Sequence, residues 1–117
     1  MEIRELKKQE TTGAMRLVWD VFVEFEAPDY VEEGVETFRE FINDEAAVGN
    51  LVVYGAFENR KLTGVIATRN EGGHIALFFV RKDYQRRGIG RKLFETVLEA
   101  CDKPAITVNS SPLIVLA

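Results

Sequence analysis

Val80-Arg81-Lys82-Asp83-Tyr84-Gln85-Arg86-Arg87-Gly88-Ile89-Gly90-Arg91-Lys92-Leu93-Phe94 joins two kinds of periodicity through a basic turn. Upstream, His74 to Val80 is an apolar run of strand length. Downstream, Leu93, Phe94, Val97, Leu98 and Cys101 recur at helical spacing. A strand, a glycine turn and a helix present the unpaired N–H groups of a helix N-terminus to an anion. Gly88 and Gly90 carry no Cβ, so a phosphate can approach the main chain there. Arg86, Arg87, Arg91 and Lys92 crowd the same point with positive charge. The turn therefore reads as a pyrophosphate cradle.

Two familiar cradles are excluded by residues their chemistry requires. A nucleotide P-loop ends in Gly-Lys-Ser/Thr, whereas Gly90 is followed by Arg91-Lys92-Leu93. A dinucleotide fingerprint needs a third glycine, and position 93 is leucine. Gln85-x-x-Gly88-x-Gly90 after Leu77-Phe78-Phe79-Val80 instead resembles the acetyl-CoA signature of the GNAT superfamily, the acyl-CoA-dependent N-acyltransferases.

The 117 residues predict one domain over 1–117 with one modest core. No apolar run is long enough to span a membrane and no signal-peptide pattern is present, so a cytoplasmic protein without a membrane partner is expected. The single cysteine, Cys101, excludes an internal disulfide and a multi-cysteine metal site. It is expected as a buried thiol on the apolar face of the last helix, and no metal is expected. The net charge of −4 conceals a segregation: residues 81–92 hold six bases against one acid, a local +5 that leaves −9 on the rest. A compact basic turn on an acidic chain suits a small polyanion, whereas nucleic acid would favour a broader basic face.

In chain order, Met1 to Lys7 is a candidate strand. Thr11 or Thr12 is a candidate cap for a helix striped by Met15, Val18, Trp19, Phe22 and Phe25. Pro28 breaks it. A second helix carries Val35, Phe38, Phe41 and Ile42 on one face. Between Glu24 and Glu45 stand nine acids and one base, Arg39, either a solvated face or a field for a cationic amine. Ala46 to Asn50 is expected as a turn. Leu51 to Phe57, Leu62 to Thr68 and His74 to Val80 read as an antiparallel meander, and Ala105 to Asn109 as a last strand. This order resembles GNAT almost throughout: α/β (α+β), a mixed and mainly antiparallel sheet flanked by helices.

The resemblance implies that a pantetheine arm lies along Leu77, Phe78, Phe79 and Val80. It also implies that main-chain N–H groups across Gln85, Arg86, Arg87, Gly88, Ile89, Gly90 and Arg91 hold the pyrophosphate, and that Asn109 lies near the pantetheine. The basic cluster can also meet the ribose phosphate, with no particular arginine singled out. The implied reaction is direct acetyl transfer from acetyl-CoA to a primary amine of a small molecule or protein. No base stands out: His74, Glu24, Glu26 and Asp29 are candidates, and a structural role competes for His74. The family's helix with a thiol-protonating tyrosine and its last two strands are not found after Asn109-Ser110-Ser111-Pro112. The domain is therefore expected to be C-terminally incomplete, with a homodimer formed through the last strand edge or the tail Leu113-Ile114-Val115-Leu116. The alternative is a non-catalytic acyl-CoA-binding module or an inactive transferase.

Overall fold

The computed structural model describes residues 1–69, 72–101 and 107–108. Asn109 and the apolar tail lie outside the described residues. Among the described residues, five strands form one sheet in the order β1-β2-β3-β4-β5: β1 Glu2–Glu5, β2 Val52–Glu58, β3 Lys61–Arg69, β4 His74–Val80 and β5 Thr107–Val108. The first four are antiparallel neighbours, and β5 pairs parallel to β4 at His74 and Ile75. Four described α-helices, α1 Thr11–Phe25, α2 Glu32–Asn43, α3 Glu45–Gly49 and α4 Ile89–Ala100, complete the α+β architecture expected from the sequence.

The sheet separates two cores. On one face Leu17, Val18 and Phe22 of α1 and Phe38 of α2 pack with Val65, Leu77 and Phe79. On the other, Ile89, Leu93 and Val97 of α4 pack with Ile66, Phe78 and Val80. Covering both faces explains why β4 is apolar at every position from Ile75 to Val80 instead of alternating. Phe22 is the centre of the first core. It is fully buried, stacks on Phe38 at 4.1 Å and meets Tyr30 edge-on at 5.1 Å. Two bulges interrupt the ladders: Thr63 is the extra residue opposite Ala56 and Phe57, and Ala76 the extra residue opposite Ala67 and Thr68.

Local chemistry overrides several sequence expectations. Thr11 is the first residue of α1, not its cap; its hydroxyl donates to the Lys8 carbonyl at 2.7 Å and closes a preceding 3₁₀ turn. Residues 46–49 are helical where a turn was expected. Asp44 accepts from the N–H groups of Ala46 and Ala47 at 2.9 and 3.1 Å, which satisfies two orphan donors and stabilises this single turn. Trp19 is half-buried, stacked on Phe22. Cys101 is the half-buried C-cap of α4, outside the helix whose apolar face was expected to bury it. Phe94 and Leu98 are exposed among the described residues. No described helix is long and apolar enough to cross a membrane.

Candidate active site

The turn after β4 is built by a short run of main-chain and side-chain hydrogen bonds. The Arg81 N–H donates to Thr63 at 2.8 Å and prolongs the β3–β4 ladder by one rung. Lys82–Tyr84 form a 3₁₀ turn, after which Gln85 is extended. The Gln85 side-chain amide donates to the Val80 carbonyl at 3.0 Å. Arg86 and Gly88 then adopt left-handed conformations with φ of 65° and 83°. Glycine occupies this region without penalty, while Arg86 is held there by the turn around it.

Gly88 is the N-cap of α4 and offers no side-chain acceptor, so the helix has no partner for the N–H groups of Ile89, Gly90 and Arg91. A Cβ built on Gly88 meets nothing within 4 Å, so the space above the helix tip is open. The axial dipole adds positive potential there. Arg86, Arg87, Arg91 and Lys92 are exposed around this tip. These residues fit a pyrophosphate: uncapped N–H groups, room above a glycine and exposed cations.

The six-base cluster is not uniform, however. Arg81 lies 3.7 Å from Asp20 and donates through Nε to the Leu62 carbonyl at 3.3 Å, and Lys82 lies 3.4 Å from Glu24. Both acids belong to α1, so these two bases tie the turn to the opposite layer.

Gly64 on β3 sets how closely α4 approaches. A Cβ there would stand 3.1 Å from Leu93, 3.2 Å from Ile89 and 3.4 Å from Val80. The absent side chain lets the first turn of α4 rest on the sheet, with its N-terminus beside the end of β4. An isolated glycine inside a strand pattern is the sequence signal for such an approach.

Leu77, Phe78, Phe79 and Val80 are buried, their side chains divided between the two cores, so only their main chain is available to a ligand. They lie beyond the part of β4 that β5 pairs among the described residues. His74 is at the opposite end of β4, about 20 Å from Val80 at the usual strand rise. This distance separates it from the turn. Glu24 is engaged by Lys82. Glu26, two residues further along at the same end of the molecule, has its carboxyl pushed up by burial and then by the nearby Asp29 charge. A groove of about 1260 Å³ beside Met15, Trp19, Ile42 and Leu51 does not include the glycine turn. Anion sites at helix tips are open by construction, so the groove does not compete with the turn for a phosphate.

A sequence model of the acetyltransferase (GNAT) domain matches residues 26–115. The chain belongs to the GNAT acetyltransferase family. It is thus an acetyl-CoA-dependent acetyltransferase by family. Among solved structures, this GNAT chain is similar to a GCN5-related N-acetyltransferase from Rhodopseudomonas palustris, with TM-score 0.78, 21% identity, and 96% of this chain and 74% of that one covered. It is also similar to PaiA N-acetyltransferase from Thermoplasma acidophilum, solved in complex with coenzyme A, with TM-score 0.70, 19% identity, and coverage of 84% and 69%. An aminoglycoside acetyltransferase from an uncultured soil metagenomic sample, in complex with sisomicin, matches with TM-score 0.57, 18% identity, and coverage of 95% and 78%. At these identities the likeness is one of fold. No curated protein matches the sequence.

Proposed function

We propose that this GNAT chain transfers the acetyl group of acetyl-CoA to a primary amine by direct attack. The observation that carries the proposal is the open, uncapped tip of α4 behind a left-handed Gly88. Main-chain groups from Gln85 to Gly90, with Arg91, hold the pyrophosphate there. The pantetheine runs along the main chain of Leu77, Phe78, Phe79 and Val80, with Asn109 near it. Coenzyme A in the Thermoplasma relative supports the cosubstrate, and the aminoglycoside acetyltransferase supports an amine-bearing acceptor.

The amine must be neutral to attack. A base or a water chain must take its proton, and Glu26, whose carboxyl is raised by burial, is one candidate beside Glu24, Asp29 and His74. The amine nitrogen bonds to the thioester carbonyl carbon and the carbon–sulfur bond breaks. The departing thiolate takes up a proton, giving N-acetylated amine and free CoA. The setting is cytoplasmic, and a second copy pairs along the outer edge of β5; a monodisperse monomer in sedimentation would remove that last element.

Calorimetric titration of acetyl-CoA, followed by thiol release across a panel of amines, tests the assignment. Saturable binding abolished by Gly88→Glu, with CoA released only when an amine is present, is expected. Binding without acetylated product from any amine would leave a CoA-binding module in place of an enzyme.

A further inference from the structure

Two faces of α1 make different attachments. The buried stripe of Ala14, Leu17, Val18, Val21 and Phe22 packs into the first core and holds the helix on the sheet. Asp20 and Glu24 are exposed and one turn apart, so they share a face. Each meets a different base of the turn after β4: Asp20 Oδ2 lies 3.7 Å from Arg81, and Glu24 Oε1 lies 3.4 Å from Lys82. Arg81 is already fixed at two points. Its N–H donates to the Thr63 carbonyl at 2.8 Å and its Nε to the Leu62 carbonyl at 3.3 Å. Its guanidinium therefore loses little further freedom in meeting Asp20.

Exposed ion pairs add little to folding, and the buried stripe of α1 does not depend on these two. What sets them apart is where they attach. Glu24 belongs to the last turn of α1, which ends at Phe25. The connection to α2 follows directly and carries Glu26 and Asp29, two of the candidate bases. At the other end, Arg81 and Lys82 begin the turn whose Gln85 reaches back to Val80 and whose Gly88 opens the tip of α4. A tandem pair of charges thus spans from the acceptor side of one layer to the phosphate end of the other.

We infer, on the acetyl-CoA reading above, that Asp20 and Arg81, assisted by Glu24 and Lys82, register the last turn of α1 and residues 26–31 against the turn that holds the cosubstrate. Occupancy of the helix tip is passed through them to the acceptor side. Asp20 is a positioning residue, since it acts only through Arg81. The coupling is bounded by the ion pairs that carry it.

Amide hydrogen exchange of the full chain, with and without saturating acetyl-CoA, tests this. In wild type the cosubstrate is expected to slow exchange at residues 85–91. It should also slow residues 24–31 by about two- to five-fold, the ceiling set by one or two exposed ion pairs. Asp20→Asn and Lys82→Met should keep the slowing at 85–91 and lose it at 24–31, whereas Asp20→Glu should keep both. Melting temperatures should stay close to wild type, because the buried stripe is untouched. A merely structural role would instead lower the melting temperature and leave the ligand-dependent difference intact. Slowing at 85–91 with none at 24–31 in wild type overturns the inference and leaves the cosubstrate reading standing. So does slowing at 24–31 that survives in both variants. No binding and no slowing anywhere overturns both.

Discussion

The side-chain amide of Gln85 reaches back over the turn it begins and donates to the carbonyl of Val80, the last residue of β4, at 3.0 Å. One side chain thereby fixes the distance between the strand end and the helix tip. Gln85→Ala is expected to cost about 1 kcal/mol of stability, the net worth of such a bond. It should weaken acetyl-CoA several-fold by loosening the turn. Gln85→Glu should do no better, because a carboxylate cannot donate. Unfolding curves and titrations of both variants check this; unchanged affinity in both would show that the turn holds itself.

Gly64 sets the approach of α4, and its replacement should act at a distance. Gly64→Ala needs its neighbours to give by a few tenths of an ångström, since the nearest atoms stand at 3.1–3.4 Å. Gly64→Val adds two methyls against Ile89 and Leu93 and should destabilise by roughly 1–3 kcal/mol. Both should weaken CoA although neither touches it, Val more than Ala. A Val variant with wild-type stability would mean that the helix is free to rise.

The Arg4–Glu10 pair predicts an acid-side loss of stability. Two guanidinium nitrogens donate to the two Glu10 oxygens at 2.8 Å, and the Lys7 N–H donates at 2.9 Å. The Arg4 bond, then the Lys7 bond, hold the Glu10 carboxyl down to about 2 from 4.5. A depressed folded value means the contribution is full above about pH 4.5 and fades as pH falls toward 2. Glu10→Gln should therefore flatten the pH dependence of the melting temperature across that window. Parallel profiles for the two proteins would show that the pair is neutral to folding.

Glu26→Gln separates base from scaffold. Burial raises the Glu26 carboxyl, so its ionisation costs stability as pH rises through its folded value. The neutral glutamine should thus fold at pH 7 at least as well as wild type. Acetyl transfer should nonetheless fall by about 10²–10⁴-fold and lose its acid limb, as expected for a removed base. An unchanged rate would move the proton acceptor to another group or to water.

How much of this was legible depended on whether the signal was local. β4 and α4 announce themselves because an apolar run gives way to helical spacing across a glycine turn, and the structure keeps that order. The five residues of α3 did not, since so short a helix has no periodicity. Phe94 and Leu98 fit the helical spacing yet stay exposed, because the sheet covers only the Leu93–Val97 side. The split of the basic cluster was invisible, as Asp20 and Glu24 lie some sixty residues before Arg81 and Lys82.

β4 divides its side chains between two cores, so the two can be repacked separately. Leu77 and Phe79 face the α1–α2 layer, and Phe78 and Val80 face α4. A change of size at Leu77 or Phe79 is felt by the α1–α2 layer, and one at Phe78 or Val80 by α4. Repacking can therefore be absorbed on one side of the strand while the contacts a single residue away stay as they were.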